Sequence, residues 1–303
     1  MQYEWIDNWG GAPMEPTADY SGRTHGIVAT ASNQIIVFRQ SNPAVLVYDT
    51  QGTLLDAWGA GFNGAHGMTL VNEQGQEFLW LTDTRGAMVK TTLTGEIVQE
   101  LPAPDLPFYR TGKFSPTWIA VNEEGCGGNG DVWVADGYGQ SYVHRYDKRG
   151  AYFHTISGEE GAAGRFNCPH GIWMDNRTTD RTLLIADRGQ RRIQVYDLEG
   201  NYLRVFGADL LTSPCSFASD GSDLLIPELR VGLTILDAQG ALRQRIGWNE
   251  EICQAADWPN GTRDKLGAGR FNSPHAATAD HDGNLYVVEW MTVGRVTKLK
   301  RIG

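Results

Sequence analysis

The strongest restriction on how this chain can fold is that it repeats itself. Residues 163–197, AGRFNCPHGIWMDNRTTDRTLLIADRGQRRIQVYD, contain one glycine turn, one histidine and two candidate strands. Gly164 opens the turn, Pro169 stiffens the entry to an alternating run, and His170 stands where that run begins. After a polar break, residues 182–186 read as a short apolar strand ending in Asp187 and Arg188, and residues 192–197 as a second strand. Gly200 then leads to a third strand at 202–206.

The same order recurs five more times. Taking the His170 position as the phase, the repeats begin at His25, His66, Thr117, His170, Cys215 and His275, with spacings of 41, 51, 53, 45 and 60 residues. The lead-in recurs as well: GRFN precedes His170 and His275, and GKFS precedes Thr117. Spacings this uneven exclude a tight solenoid but suit strands of fixed length joined by variable loops. One four-strand unit about every fifty residues predicts an all-β, six-bladed β-propeller filling residues 1–303 as a single domain. Residues 3–9 match the last strand of a repeat, whereas the final repeat offers only three strand candidates, at 276–279, 285–289 and 295–301. The N-terminal strand is therefore expected to complete the sixth blade and remove an exposed edge.

Hydrophobic residues at 41% are ample for packed sheets, and 37 glycines suit many tight turns. A net charge of −10 without clustered Lys and Arg excludes a phosphate-binding surface for nucleic acid. With no apolar run of eighteen residues and no basic, apolar leader, a soluble cytoplasmic protein with no membrane partner is expected. Cys126, Cys168, Cys215 and Cys253 form no CxxC pair and read as free thiols. Repeat three carries a glycine-rich insertion at 124–130, and a long loop at 249–267 separates repeats five and six.

In a propeller the first strand of each blade lines the axis, so four of the seven histidines fall on one axial position. Repeats two, four and six are alternate blades, and His66, His170 and His275 are expected about 120° apart around the axis. Three neutral imidazoles with room for a fourth ligand suit a catalytic zinc or another divalent metal; His25 is the reserve ligand. Asp83, Asp136, Asp187, Glu228 and Glu289 all end second strands, and capping of a turn is their expected role. Arg39 breaks that series, while Tyr138 and Arg188 follow it with different residue types. Such variation at a repeated position marks a site: an arginine can grip a carboxylate or carbonyl oxygen, and a tyrosine beside a dication can act as a base.

These motifs resemble the six-bladed NHL-repeat propellers, through GRFNCPHGI and IADRGQRRIQVYD, and within them peptidyl-α-hydroxyglycine α-amidating lyase. The lyase likeness is carried by AHGM at His66, DGY at Tyr138, PHGI with ADR at His170 and Arg188, PHAA at His275, and FRQ at Arg39. It implies zinc on the three histidines, a small-molecule substrate held by Tyr138, Arg39 and Arg188, and cleavage of a carbinolamide C–N bond to glyoxylate and an amide. The family's calcium-binding aspartate is Ala276 here and its methionine is Ser273, so calcium is left out of the expectation. The alternatives are a zinc-dependent hydrolase of a small amide or lactone and a non-catalytic NHL scaffold for a protein partner.

Overall fold

The computed structural model describes residues 1–11, 22–262 and 265–302. Their strands form six antiparallel sheets of four strands each, the blades of a six-bladed β-propeller. In blades one to five the order within the sheet follows the chain. The sixth takes Pro274–Ala279, Leu285–Glu289 and Arg295–Ile302 and adds Gln2–Ile6 as its outer strand. Tyr3 pairs with Arg301 and Trp5 with Leu299, so the expected N-terminal strand closes the last blade, ending at Ile6. Helical structure among the described residues is confined to short 3-10 turns, and no helix is long and apolar enough to cross a membrane.

Burial explains why the strands read as they do. Second strands such as Ile35–Arg39 (IIVFR) and Leu285–Glu289 (LYVVE) are buried along their whole length, so both faces need apolar or β-branched side chains and the alternating pattern disappears. The outer strands of blades one and four, Leu54–Trp58 and Tyr202–Phe206, lie at the edge and are mostly exposed. Each fully buried Ile or Leu contributes about 1.5–3 kcal/mol.

In blades one, three, four and five the third and fourth strands are joined by one recurring device, while blade two has Thr92 at the same place. Asp197 Oδ1 accepts the amides of Glu199 (2.9 Å) and Asn201 (2.8 Å), and Asp49, Asp147 and Asp237 repeat the pattern. Three residues after Asp197, Gly200 holds φ at 91°, and a Cβ there would also lie 2.9 Å from the Trp133 ring. Glycine is required on both counts.

The chain divides into two compact units. The first, Met1–Ala65 with Cys215–Gly303, contains blades one, five and six; Leu225, Leu233, Phe271, Leu285 and Val287 belong to its core. The second, His66–Pro214, contains blades two, three and four, with Val71, Trp80, Ile119, Val134 and Tyr146 in its core. The first strand of blade five is the shortest of the six, Ala218–Asp220, and starts three residues after Cys215.

Three of the carboxylates that end second strands, Asp136, Asp187 and Glu289, cap the lead-in to a first strand. Asp136 accepts the Ser115 amide (2.7 Å), Asp187 that of Asn167 (2.8 Å) and Glu289 that of Asn272 (2.5 Å), each fixing the lead-in to the first strand of its own blade.

Candidate active site

Three of the first-strand histidines sit where strand pairing slips. The register between first and second strands shifts between Thr24 and Gly26, between Pro169 and Ile172, and between Pro274 and Ala276. His25 and His275 are thus the extra residues of β-bulges, and His170 with Gly171 opposes the single Ala186 in a third; such bulges turn a side chain out of the ladder. The glycine after His66 has its own cause. A Cβ on Gly67 would lie 2.4 Å from the Thr117 carbonyl oxygen, so only glycine allows that approach.

In the second unit the structure brings together four predicted residues. The rings of His66 and His170 are 4.7 Å apart between centroids, and both side chains are buried. Tyr138 Oη lies 3.3 Å from His66 Nε2 and 3.1 Å from His170 Nε2. Arg188 donates from Nη2 to Tyr138 Oη at 3.2 Å and lies over its ring at 5.3 Å. Tyr138 can reach this position because Gly137 passes close to the Pro169 carbonyl, where a Cβ would stand at 2.4 Å. The carboxylate of the preceding Asp187 accepts from Arg192 and Gln194.

The hydrogen bonds define the chemistry of this cluster. His66 Nδ1 is 2.8 Å from the Thr117 carbonyl oxygen, which can only accept, so Nδ1 carries the proton and Nε2 presents a lone pair. Burial pushes the His66 pKa down to about 3; the Thr117 bond opposes the shift and the Arg188 charge assists it. The ring is therefore neutral at pH 7, the form that binds a metal. With Arg188 donating to its oxygen, Tyr138 has one proton to offer two Nε2 atoms. His66 Nε2, its lone pair fixed by a carbonyl on the far side of the ring, is one donor of the kind zinc takes.

Two further sets of contacts were not anticipated from the sequence, where Cys168 reads as a free thiol near the axis. Cys168, held at φ 59°, accepts from Arg188 through Sγ at 3.3 Å; burial raises its thiol pKa and Arg188 counters this. Tyr109 Oη donates to Asp136 Oδ2 (2.6 Å) and lies 2.7 Å from His144 Nε2, while His144 Nδ1 meets Thr155 Oγ1 at 2.8 Å. Burial lowers the His144 pKa to about 3, so this chain is a neutral one that anchors Asp136. Asp136 in turn accepts the Gln140 amide at 2.6 Å and closes the turn that carries Tyr138. Nothing in the repeat pattern signals Tyr109, which comes from the loop turn Pro107–Arg110.

The other predicted residues belong to the first unit. The His25 and His275 rings are 4.7 Å apart, and His275 Nδ1 lies 2.8 Å from the His25 carbonyl oxygen, the same arrangement that fixes His66. Arg39 is buried, donates through Nε to the Pro43 carbonyl (3.0 Å), and has its pKa lowered by burial. The 249–267 loop, of which residues 263 and 264 lie outside the described set, sends Trp258 Nε1 to Ser273 Oγ at 2.9 Å, two residues before His275.

Fold and cluster together describe a six-bladed propeller whose second unit gathers two buried histidines from first strands with a tyrosine and an arginine that follow second strands. No family model matches the chain. It has homologues among NHL repeat-containing proteins: it is 25% identical over 239 residues to NHL repeat-containing protein 3 of Homo sapiens, covering 73% of this chain and 66% of that protein. A probable peptidyl-alpha-hydroxyglycine alpha-amidating lyase of Caenorhabditis elegans is 28% identical over 163 residues, or 52% of this chain and 43% of that protein. The chain thus spans just under two thirds of the NHL relative and under half of the lyase. Among solved structures, a streptogramin B lyase superposes with a TM-score of 0.62 over 99% of this chain and 98% of its own at 15% identity, a likeness of fold.

Proposed function

We propose that this protein is a metal-dependent lyase that cleaves the carbinolamide C–N bond of a small α-hydroxyglycine-like substrate. The observation that carries this reading is Tyr138 Oη held between the Nε2 atoms of His66 and His170 with Arg188 donating to it. The similarity to the amidating lyase of Caenorhabditis elegans supports it. His66 and His170 are the ligands proposed from this geometry, and His275 is the third by its place in the sequence repeat. A bound zinc or other divalent ion supplies Lewis acidity that eases loss of the substrate hydroxyl proton.

The chain's own groups account for the remainder. Tyr138 takes the hydroxyl proton and returns it to the departing amide nitrogen, so the products are an amide and an aldehyde and no net proton is exchanged. Arg188 holds the carboxylate beside the bond that breaks, and its cation steadies negative charge on Tyr138 oxygen. Arg39 is the second oxygen-holding candidate from sequence.

Incubating metal-loaded protein with N-acyl-α-hydroxyglycines and following glyoxylate tests this directly. Turnover is expected, with Tyr138→Phe lowering kcat/KM by roughly 10²–10⁴-fold. Release of an acid from simple amides or lactones, without glyoxylate, would instead assign a hydrolase. Absence of turnover in every class would favour the non-catalytic scaffold, a reading supported by the longer match to NHL repeat-containing protein 3.

A further inference from the structure

Repeat three differs from the others by residues 124–130, EGCGGNG, which follow Glu123 between its first strand, Trp118–Val121, and its second, Val132–Ala135. The insertion has a defined structure. The Glu123 carbonyl accepts the amides of Cys126 (3.1 Å) and Gly128 (2.8 Å), and Gly130 donates to the Asn122 carbonyl at 2.8 Å. A Cβ on Gly128 would stand 2.2 Å from that same oxygen, so glycine is obligatory there.

This folded loop forms one wall of a cavity of about 380 Å³ within the second unit, inside the roughly 300–1,000 Å³ range of small-molecule sites. The opposite wall is the far end of the strand Ala65–Glu73. His66 and Glu73 are separated by about 23 Å of strand at roughly 3.3 Å per residue, so the cavity is distinct from the candidate active site.

The charges lining it do not balance. Lys90 pairs with Glu73 at 2.5 Å, and Lys148 with Glu124 at 2.7 Å. Glu123 also faces the cavity, where its Oε2 accepts only the Asn72 amide (2.7 Å), and among the described residues no cation pairs with it. Burial raises its carboxyl pKa, the Asn72 bond opposes this, and the Glu73 charge adds to it. Trp80, Val121 and Val132 supply an apolar floor beside this carboxylate. A partly desolvated carboxylate next to an apolar surface is complementary to a cation on a hydrocarbon stem, which gains a charge-assisted bond at one end and apolar contact at the other.

We propose that this cavity binds a guanidinium or ammonium group carried on an alkyl stem, with Glu123 as the residue that pairs with it. The same chemistry is presented by a free alkylguanidine and by an arginine side chain of a peptide. Titrating the full chain with butylguanidinium chloride and with acetyl-Gly-Arg-Gly-amide, followed by calorimetry, separates the two sources. Saturable one-to-one binding is expected for at least one of them, and the tighter probe identifies the source. Neutral butylurea is expected not to bind. Glu123→Gln keeps an oxygen for the Asn72 amide and should fold normally, yet weaken binding by about tenfold or more; Glu123→Lys should abolish it. The metal content at the candidate active site should be the same in both variants. No saturable binding of either cationic probe, or undiminished binding in Glu123→Gln and Glu123→Lys, would overturn the assignment.

Discussion

Four of the six blades, one, three, four and five, contain two kinds of repeated position, and they have diverged differently. The turns between third and fourth strands at Asp49, Asp147, Asp197 and Asp237 keep one residue and one hydrogen-bond pattern. The starts of the first strands carry His66, Thr117 and His170 in the second unit alone. What stays constant there is the backbone: the Thr117 carbonyl receives Nδ1 of His66 just as the His25 carbonyl receives Nδ1 of His275. Thr117 itself uses its hydroxyl to reach the Pro169 carbonyl at 3.2 Å. The main chain fixes the fold at these positions and leaves the side chain available for chemistry, whereas at the turns the side chain is itself the structural element.

If that division is correct, the largest losses of stability should come from the capping carboxylates. Glu289 and Arg295 form a buried ion pair, and Glu289 also holds the Asn272 and Ser273 amides. Glu289→Ala leaves the buried Arg295 guanidinium with only Asp7 and two backbone carbonyls as partners and should cost about 3 kcal/mol in urea unfolding. Tyr109→Phe removes the hydroxyl between Asp136 and His144 and should cost about 1–3 kcal/mol, with a further drop in any turnover as the Tyr138 turn loosens.

The turn itself should show the smallest effect, with a pH signature. Burial pushes the Asp197 pKa up, but the side chain and amide of Asn201 and the amides of Glu199 and Gly200 outweigh it and the net shift is downward. A lowered folded pKa contributes stability that is present above the unfolded value, about 3.9, and is lost as pH falls through the folded value. Asp197→Ala should therefore cost on the order of 0.5 kcal/mol at pH 7 after solvent screening, and the gap to wild type should narrow in strong acid. A gap independent of pH would mean that the carboxylate charge plays no part in the turn.

These contrasts also show why the sequence was readable where it was. The repeat phase revealed the blades and the N-terminal strand, because apolar runs and D-x-x-G turns are local. Blade five was the least clear, since Pro214 and Cys215 begin its phase while the strand itself starts at Ala218. His66, His170, Tyr138 and Arg188 could be picked out as residues departing from, or concentrated in, a repeated register. Tyr109, His144 and the contact of Cys168 with Arg188 could not, because these contacts join residues 20–35 apart that share no position in the repeat. The role of Asp136 as a cap was visible, but its partner Ser115, on the lead-in before the blade, becomes a neighbour only when the sheet forms.

The central claim is that the side chains freed at the first-strand starts hold a metal. Elemental analysis of the purified full chain, beside His66→Ala, His170→Ala and His275→Ala, tests it without reference to any substrate. One equivalent of a divalent ion, zinc foremost, is predicted in the parent and is expected to be lost in each variant, with the circular dichroism of the sheets unchanged. A metal-free parent after zinc loading, or variants that keep the ion, would contradict the account and return these histidines to a structural role.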